Sequence, residues 1–149
     1  MQLVVAGATS LAYLVLPIRS VFADTKDDNA KGRPTTQDPA FMERAFEMMR
    51  MATKAGDQPY GAVVVKDNRI VGEGPSRVIT NQDPTAHAEV EAIRDAARRL
   101  GTRDLSGCII YASSKPCRMC ETASYWANLE RVYFSASVTD GGPPRYSSC

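Results

Sequence analysis

The chain holds one histidine, one tryptophan and four cysteines in 149 residues. Any chemistry that needs an imidazole therefore has a single place to find it, His87. There is no block of consecutive basic residues, and the formal net charge is only +1. The basic footprint that marks most polynucleotide binders is missing. No apolar run has the ~20 residues that a membrane-crossing helix needs. Internal repeats and low-complexity tracts are absent too, which excludes solenoids and arrays. What remains has an ordinary globular composition, 44% hydrophobic and 23% charged, with room for one domain around one core.

The longest apolar run, Leu3 to Ile18, is short and interrupted. It is followed by Val21-Phe22-Ala23 and then by the polar stretch from Asp24 to Asp38. That order resembles a secretory signal peptide, although no Lys or Arg precedes Arg19. Residues 1–23 are accordingly expected to be a signal peptide, 24–37 a flexible linker and 38–149 the folded domain. On that reading the protein is periplasmic or secreted; if the segment is only an extension, it is cytoplasmic.

Asp38-Pro39 reads as a helix start, Asp at the N-cap and Pro in the first turn. Phe41, Ala45, Met48, Met49 and Ala52 recur at helical spacing as far as Gly56. Ala62-Val63-Val64-Val65 is almost wholly apolar, as expected of a strand covered on both faces. The turn Asp67-Asn68 joins it to a second strand, Arg69 to Gly74. The next helix begins near Pro84, with Val90, Ile93, Ala97 and Leu100 on one face, and ends at Gly101. A third strand spans Gly107 to Ser113, a helix runs from Pro116 to about Asn128, and a fourth strand covers Arg131 to Ser135. From Thr139 onward no periodic element is expected. The order α-β-β-α-β-α-β predicts an α/β fold, a three-layer α/β/α sandwich around a mixed sheet.

The chemistry is concentrated in His87-Ala88-Glu89 and Pro116-Cys117-Arg118-Met119-Cys120. One imidazole and two thiolates make three zinc ligands, and a site with three protein ligands keeps a fourth position open. Cys117 and Cys120 are three residues apart and share a helix face. Both segments open helices, whose positive N-terminal ends favour thiolates and so lower the cysteine pKa. Glu89 is two residues from the histidine and free to move protons without binding the metal. A structural zinc knuckle would need a fourth ligand, and neither Cys108 in its apolar strand nor Cys149 at the terminus is well placed.

These two motifs together resemble the cytidine deaminase superfamily of zinc-dependent nucleobase deaminases. Within it, Asn81 through Val90 is similar to the branch shared by guanine deaminases and tRNA adenosine deaminases. Pro59-Tyr60-Gly61-Ala62-Val63 and Tyr125-Trp126-Ala127 look more like guanine deaminases. The resemblance implies a cytidine-deaminase-like fold, zinc as cofactor, His87, Cys117 and Cys120 as ligands, and Glu89 as the catalytic proton shuttle. It implies that Tyr60 and Trp126 wall a base pocket and that Ala88 offers a backbone N–H to the base. Ser76 stands where the family carries an Asn that contacts the base or sugar, and Lys115 where it carries an acidic residue. Guanine deaminases continue beyond the fourth strand, and this chain stops at Cys149, which leaves open what completes the pocket.

The expected activity is hydrolytic deamination of a small amino-purine base, guanine first, releasing ammonia. A tRNA adenosine and a free pyrimidine base or nucleoside stay open as substrates, and so does a catalytically silent zinc-binding scaffold. The expected partner is a small-molecule nucleobase, without nucleic acid or a membrane span in the mature protein. The resemblance also implies a homodimer.

Overall fold

The computed structural model describes residues 37–146. The signal-peptide expectation, nearly all of the 24–37 linker and Cys149 fall outside them. Gln37, the last residue of that linker, is tied to the domain by donating Nε2 to the Val138 carbonyl.

Helix α1 (Pro39–Lys54) starts as its sequence dictates: Asp38 caps it by accepting the Ala40 N–H, and Pro39 fills the first turn. Strands β1 (Gly61–Lys66) and β2 (Arg69–Pro75) form the hairpin. Asp67 and Asn68 both have positive φ, which a two-residue type I′ turn requires. Helix α2 (Ala88–Leu100), strand β3 (Cys108–Ala112), helix α3 (Arg118–Trp126) and strand β4 (Arg131–Phe134) follow. A two-residue strand, β5 (Thr139–Asp140), then pairs with β4. It lies where no element was expected, because two residues carry no periodicity to read.

The sheet has the order β2-β1-β3-β4-β5 and is mixed. Only β3 and β4 run parallel, the one pair whose connection is a helical crossover onto a neighbouring strand. Alternate residues of the central strands point to opposite faces. Val63, Val65, Ile109, Tyr111 and Tyr133 pack under α1 against Met42, Ala45 and Met48. Ala62, Val64, Ile110, Ala112 and Val132 pack on the other face, under α2. This is the three-layer α/β/α sandwich.

The buried face of α2 differs from the one its larger apolar residues suggest. Ala88, Ala92 and Ala96 are its core, with Glu89 beside them. Ile93 and Ala97 are only partly buried, and Leu100 is exposed. The reason is the spacing to β2. A methyl group on Gly74 would overlap the Ala88 carbonyl and the Ala92 amide, and one on Gly72 would overlap the backbone of Ala92 and Ala96. The helix rests directly on glycine backbone, and only alanines fit between.

Among the described residues no helix is long and apolar enough to cross a membrane.

Candidate metal centre

Three chain segments meet over one end of strands β1, β2 and β3, and the strand register puts them there. Gly61, the first residue of β1, pairs with Pro75, the last of β2. It is also tied to the residue following β3: the Ser113 N–H donates to the Gly61 carbonyl, and the Gly61 N–H donates to Ser113 Oγ. The loop before β1, the loop leaving β2 toward α2 and the loop leaving β3 toward α3 therefore share one rim. His87 is the N-cap residue of α2 and Cys117 the N-cap residue of α3, which begins two residues later than Pro116 suggested. Glu89 and Cys120 follow in the first turns. The two helix starts present their donors toward each other.

His87, Cys117 and Cys120 form a group able to hold a metal ion, all three ligand atoms within 4.8 Å of one another. The separations are Sγ to Sγ 3.6 Å, Cys117 Sγ to His87 Nδ1 3.8 Å and Cys120 Sγ to His87 Nδ1 3.6 Å. A tetrahedral zinc with bonds of ~2.3 Å to sulfur and ~2.0–2.1 Å to nitrogen would set those edges at ~3.8 and ~3.6 Å. The donors fit the ion in number, type and spacing, and no fourth protein donor joins them among the described residues.

Electrostatics points the same way. Glu89 is buried, 7% exposed, and burial pushes its carboxyl pKa up; its own backbone N–H, the Cys120 thiol and His87 pull it partly back. Cys120 donates its thiol to Glu89 Oε2 at 3.3 Å. Burial pushes that thiol up as well, with Glu89 and Cys117 adding to the rise. This is opposite to the lowering expected from a helix start, because burial beside a carboxylate outweighs a partial dipole charge. Cys120 and Glu89, buried side by side, need a cation to ionise together, and a divalent metal inverts the local pKa logic in this way.

The donors open onto a cleft of about 430 Å³, within the size range of small-molecule sites. His87, Glu89 and Cys117 line it together with Gln58, Tyr60 and Lys115. Tyr60 therefore stands at the rim of the cleft and is exposed. Ala88, the first residue of α2, is buried and does not itself line the cleft, although a backbone N–H at that position has no acceptor within the helix.

Ser76 and Trp126 are not brought to the cleft. Ser76 is 2% exposed and donates its hydroxyl to Asp57 Oδ1 at 2.9 Å. Trp126 is 64% exposed and packs on Tyr125 and Tyr146. It ends the helix that Cys117 caps, and at 1.5 Å per residue that puts it ~13 Å along the axis from the donors.

The residue that motif reading missed is Asp57. Its Oδ1 accepts from Ser76 Oγ and the Gln58 N–H, and its Oδ2 from the N–H groups of Ile79 and Thr80 and from Thr80 Oγ1. Burial alone would raise its pKa, but these bonds outweigh it and hold the carboxyl below the usual carboxylate range. It clamps the loop before β1 to the loop after β2. No pattern in the sequence announces it, since apart from the adjacent Gln58 its partners lie 19 to 23 residues away.

One imidazole and two thiols converging at paired helix starts match in number and type the three-protein-ligand set seen in catalytic zinc sites. Residues 35–136 match the family model described as the cytidine and deoxycytidylate deaminase zinc-binding region, and the chain belongs to that family. It is 48% identical over 101 residues to the guanine deaminase of Bacillus subtilis (strain 168), covering 67% of this chain and 65% of that protein. It is 41% identical over 96 residues to the tRNA-specific adenosine deaminase of Aquifex aeolicus (strain VF5), covering 64% of each. The match thus spans just under two thirds of both relatives. The X-ray structure of the guanine deaminase from Bacillus subtilis superposes with a TM-score of 0.63 at 46% identity, covering 64% of this chain and 62% of that one.

Proposed function

We propose that the protein is a zinc-dependent hydrolytic deaminase of a small amino-purine base, guanine first. The observation that carries this is the His87, Cys117 and Cys120 triangle at zinc-bonding separations, with the buried Glu89 carboxyl against it at the floor of the cleft. When bound, zinc supplies the Lewis acidity that makes water a usable nucleophile near neutral pH. Glu89 takes a proton from the attacking water and gives it to a ring nitrogen as oxygen adds to the carbon bearing the amino group. It then carries the second proton to that amino group, the C–N bond breaks, and ammonia leaves. Water and base are consumed, ammonia and the oxo-base are formed, and Glu89 returns to its starting charge. Tyr60 lies against the heterocycle, and the Ala88 N–H serves as a donor to it.

The 48% identity to a guanine deaminase, against 41% to a tRNA adenosine deaminase, supports a free base over a polynucleotide. So does the charge pattern, because most arginines of α1 and α2 are engaged with carboxylates: Arg44 with Glu73, Arg94 with Glu91, and Arg99 with Asp95. The homodimer that the resemblance implies belongs to the same reading. The exposed cluster of Tyr125, Trp126 and Tyr146 gives it an apolar surface to bury, and light scattering reads the mass.

The test is ammonia release from guanine, adenine, cytosine and a tRNA anticodon stem-loop, with and without chelator, at low and physiological salt. Guanine turnover that is abolished by chelator and nearly independent of salt is expected, since phosphate contacts would make affinity fall steeply with salt. Robust turnover of the stem-loop with none of any free base would replace this reading with the tRNA adenosine one. No ammonia from any substrate would leave the zinc scaffold.

A further inference from the structure

We propose that Gln58 is the side chain that reads the polar edge of the substrate heterocycle, and that Asp57 is its positioning residue. This rests on the deaminase reading above and adds the contact that reading lacks. Ser76, at the position where the resemblance implies a base contact, has its hydroxyl committed to Asp57. The rim needs another polar reader.

Gln58 lines the cleft beside His87 and Glu89 and is half-buried. Both of its backbone groups are fixed: its N–H donates to Asp57 Oδ1 at 2.8 Å, and its carbonyl accepts from the Tyr60 N–H at 2.8 Å. Its side-chain amide has no hydrogen-bond partner among the described residues. A pinned backbone carrying an unused carboxamide into a cleft is a pre-organised contact, since little freedom is lost when a ligand arrives. A carboxamide offers a donor and an acceptor side by side. That pair is complementary to an amino-heterocycle whose edge places an N–H or NH₂ next to an oxo group or ring nitrogen. The other polar residues of the cleft wall serve this less well. Lys115 and Ser114 are exposed, and neither can donate and accept at two adjacent atoms as an amide does.

Asp57 acts through Gln58. The same carboxylate that holds the Gln58 N–H also holds Ser76, Ile79 and Thr80, so the reader keeps its place relative to the segment that leads to His87.

The test uses the full zinc-loaded chain and guanine as probe. Equilibrium dialysis is run in the Glu89→Ala background to stop turnover, and KM and kcat are measured with Glu89 present. Gln58→Ala should weaken guanine binding about tenfold and raise KM by a similar factor, as expected for one lost hydrogen-bonding group. Zinc content, unfolding midpoint and kcat should stay close to the parent. Asp57→Asn should also raise KM, and combined with Gln58→Ala it should raise KM no further than Gln58→Ala alone. A merely structural clamp would instead lower kcat and leave KM unmoved; the midpoint falls in either case and does not discriminate. If Asp57→Asn does not fold, Ser76→Ala loosens the same clamp more gently and should shift KM in the same direction. Gln58→Ala that binds guanine as tightly as its parent overturns the proposal while leaving the deaminase reading intact. Loss of binding on Gln58→Ala in a protein that releases no ammonia from any base supports the Gln58 assignment and ends the deaminase reading. A parent chain that binds no base overturns both.

Discussion

At residue scale, Glu89 is separable from the metal donors, and its removal is the sharpest probe of the chemistry. Glu89→Ala should keep one zinc per chain by elemental analysis and lose ~10²–10⁴ in kcat, the usual contribution of a general acid–base group. Retention of wild-type kcat would assign the proton relay to another group. The fold should survive, because the side chain removed is a buried carboxyl whose charged form burial disfavours. Asp57 gives a pH-dependent signature. Its pKa in the folded chain lies below the ordinary carboxylate value, so its stabilising effect is fully present above pH ~4, the unfolded value, and fades as pH falls toward the folded one. Wild type should exceed Asp57→Asn in urea midpoint at neutral pH, and the gap should close on acidification below pH ~4. A gap that stays constant down to pH ~2 would mean that the hydrogen bonds do not depend on the charge.

At the scale of elements, α2 matters most, because it carries Glu89 in its first turn and is seated on glycine. Gly74→Ala forces a methyl into the Ala88 carbonyl and Ala92 amide and must lift the end of the helix that carries the site. Overpacking of this kind costs ~1–3 kcal/mol, and denaturant unfolding should show it together with a loss of activity larger than the stability change explains. At the other end of α2, Gly101 caps the helix in the left-handed region, with open space around it. Gly101→Ala should cost ~1–2 kcal/mol through backbone strain alone and leave kcat unchanged. The contrast separates a helix that is weakened from one that is displaced.

For the whole molecule, the metal is expected to couple to folding. The donors come from two helix starts joined by β3, so an ion that binds only the folded chain stabilises all of it. A ligand present at a hundred times its Kd adds ~2.7 kcal/mol. Chelation should therefore lower the thermal midpoint and zinc should restore it, whereas Cys120→Ala should sit at the chelated midpoint and ignore added zinc. A midpoint indifferent to chelator would show that the sandwich is complete without its ion. The stacked Tyr111 and Tyr133 under α1 and the alanine face under α2 already form two cores that do not involve the donors. Partial destabilisation rather than unfolding is the expected result.

The sequence by itself determined the donors, the helix starts that hold them and the central strands, because each of these is encoded over a few consecutive residues. Asp38-Pro39 caps α1 locally, Asp67-Asn68 makes a turn locally, and His87 with Glu89 or Cys117 with Cys120 share a helix start whatever surrounds them. The tertiary structure alone decided which rim residues face the cleft. Ser76 turned inward because Asp57, nineteen residues earlier in the chain, claimed its hydroxyl. Trp126 lay outside the cleft because a helix carried it along its axis. The face of α2 that packs was set by glycines on β2 rather than by the helix's own larger side chains. Each of these outcomes depends on partners brought together by sheet register, and register is a property of the folded sheet that no single segment contains.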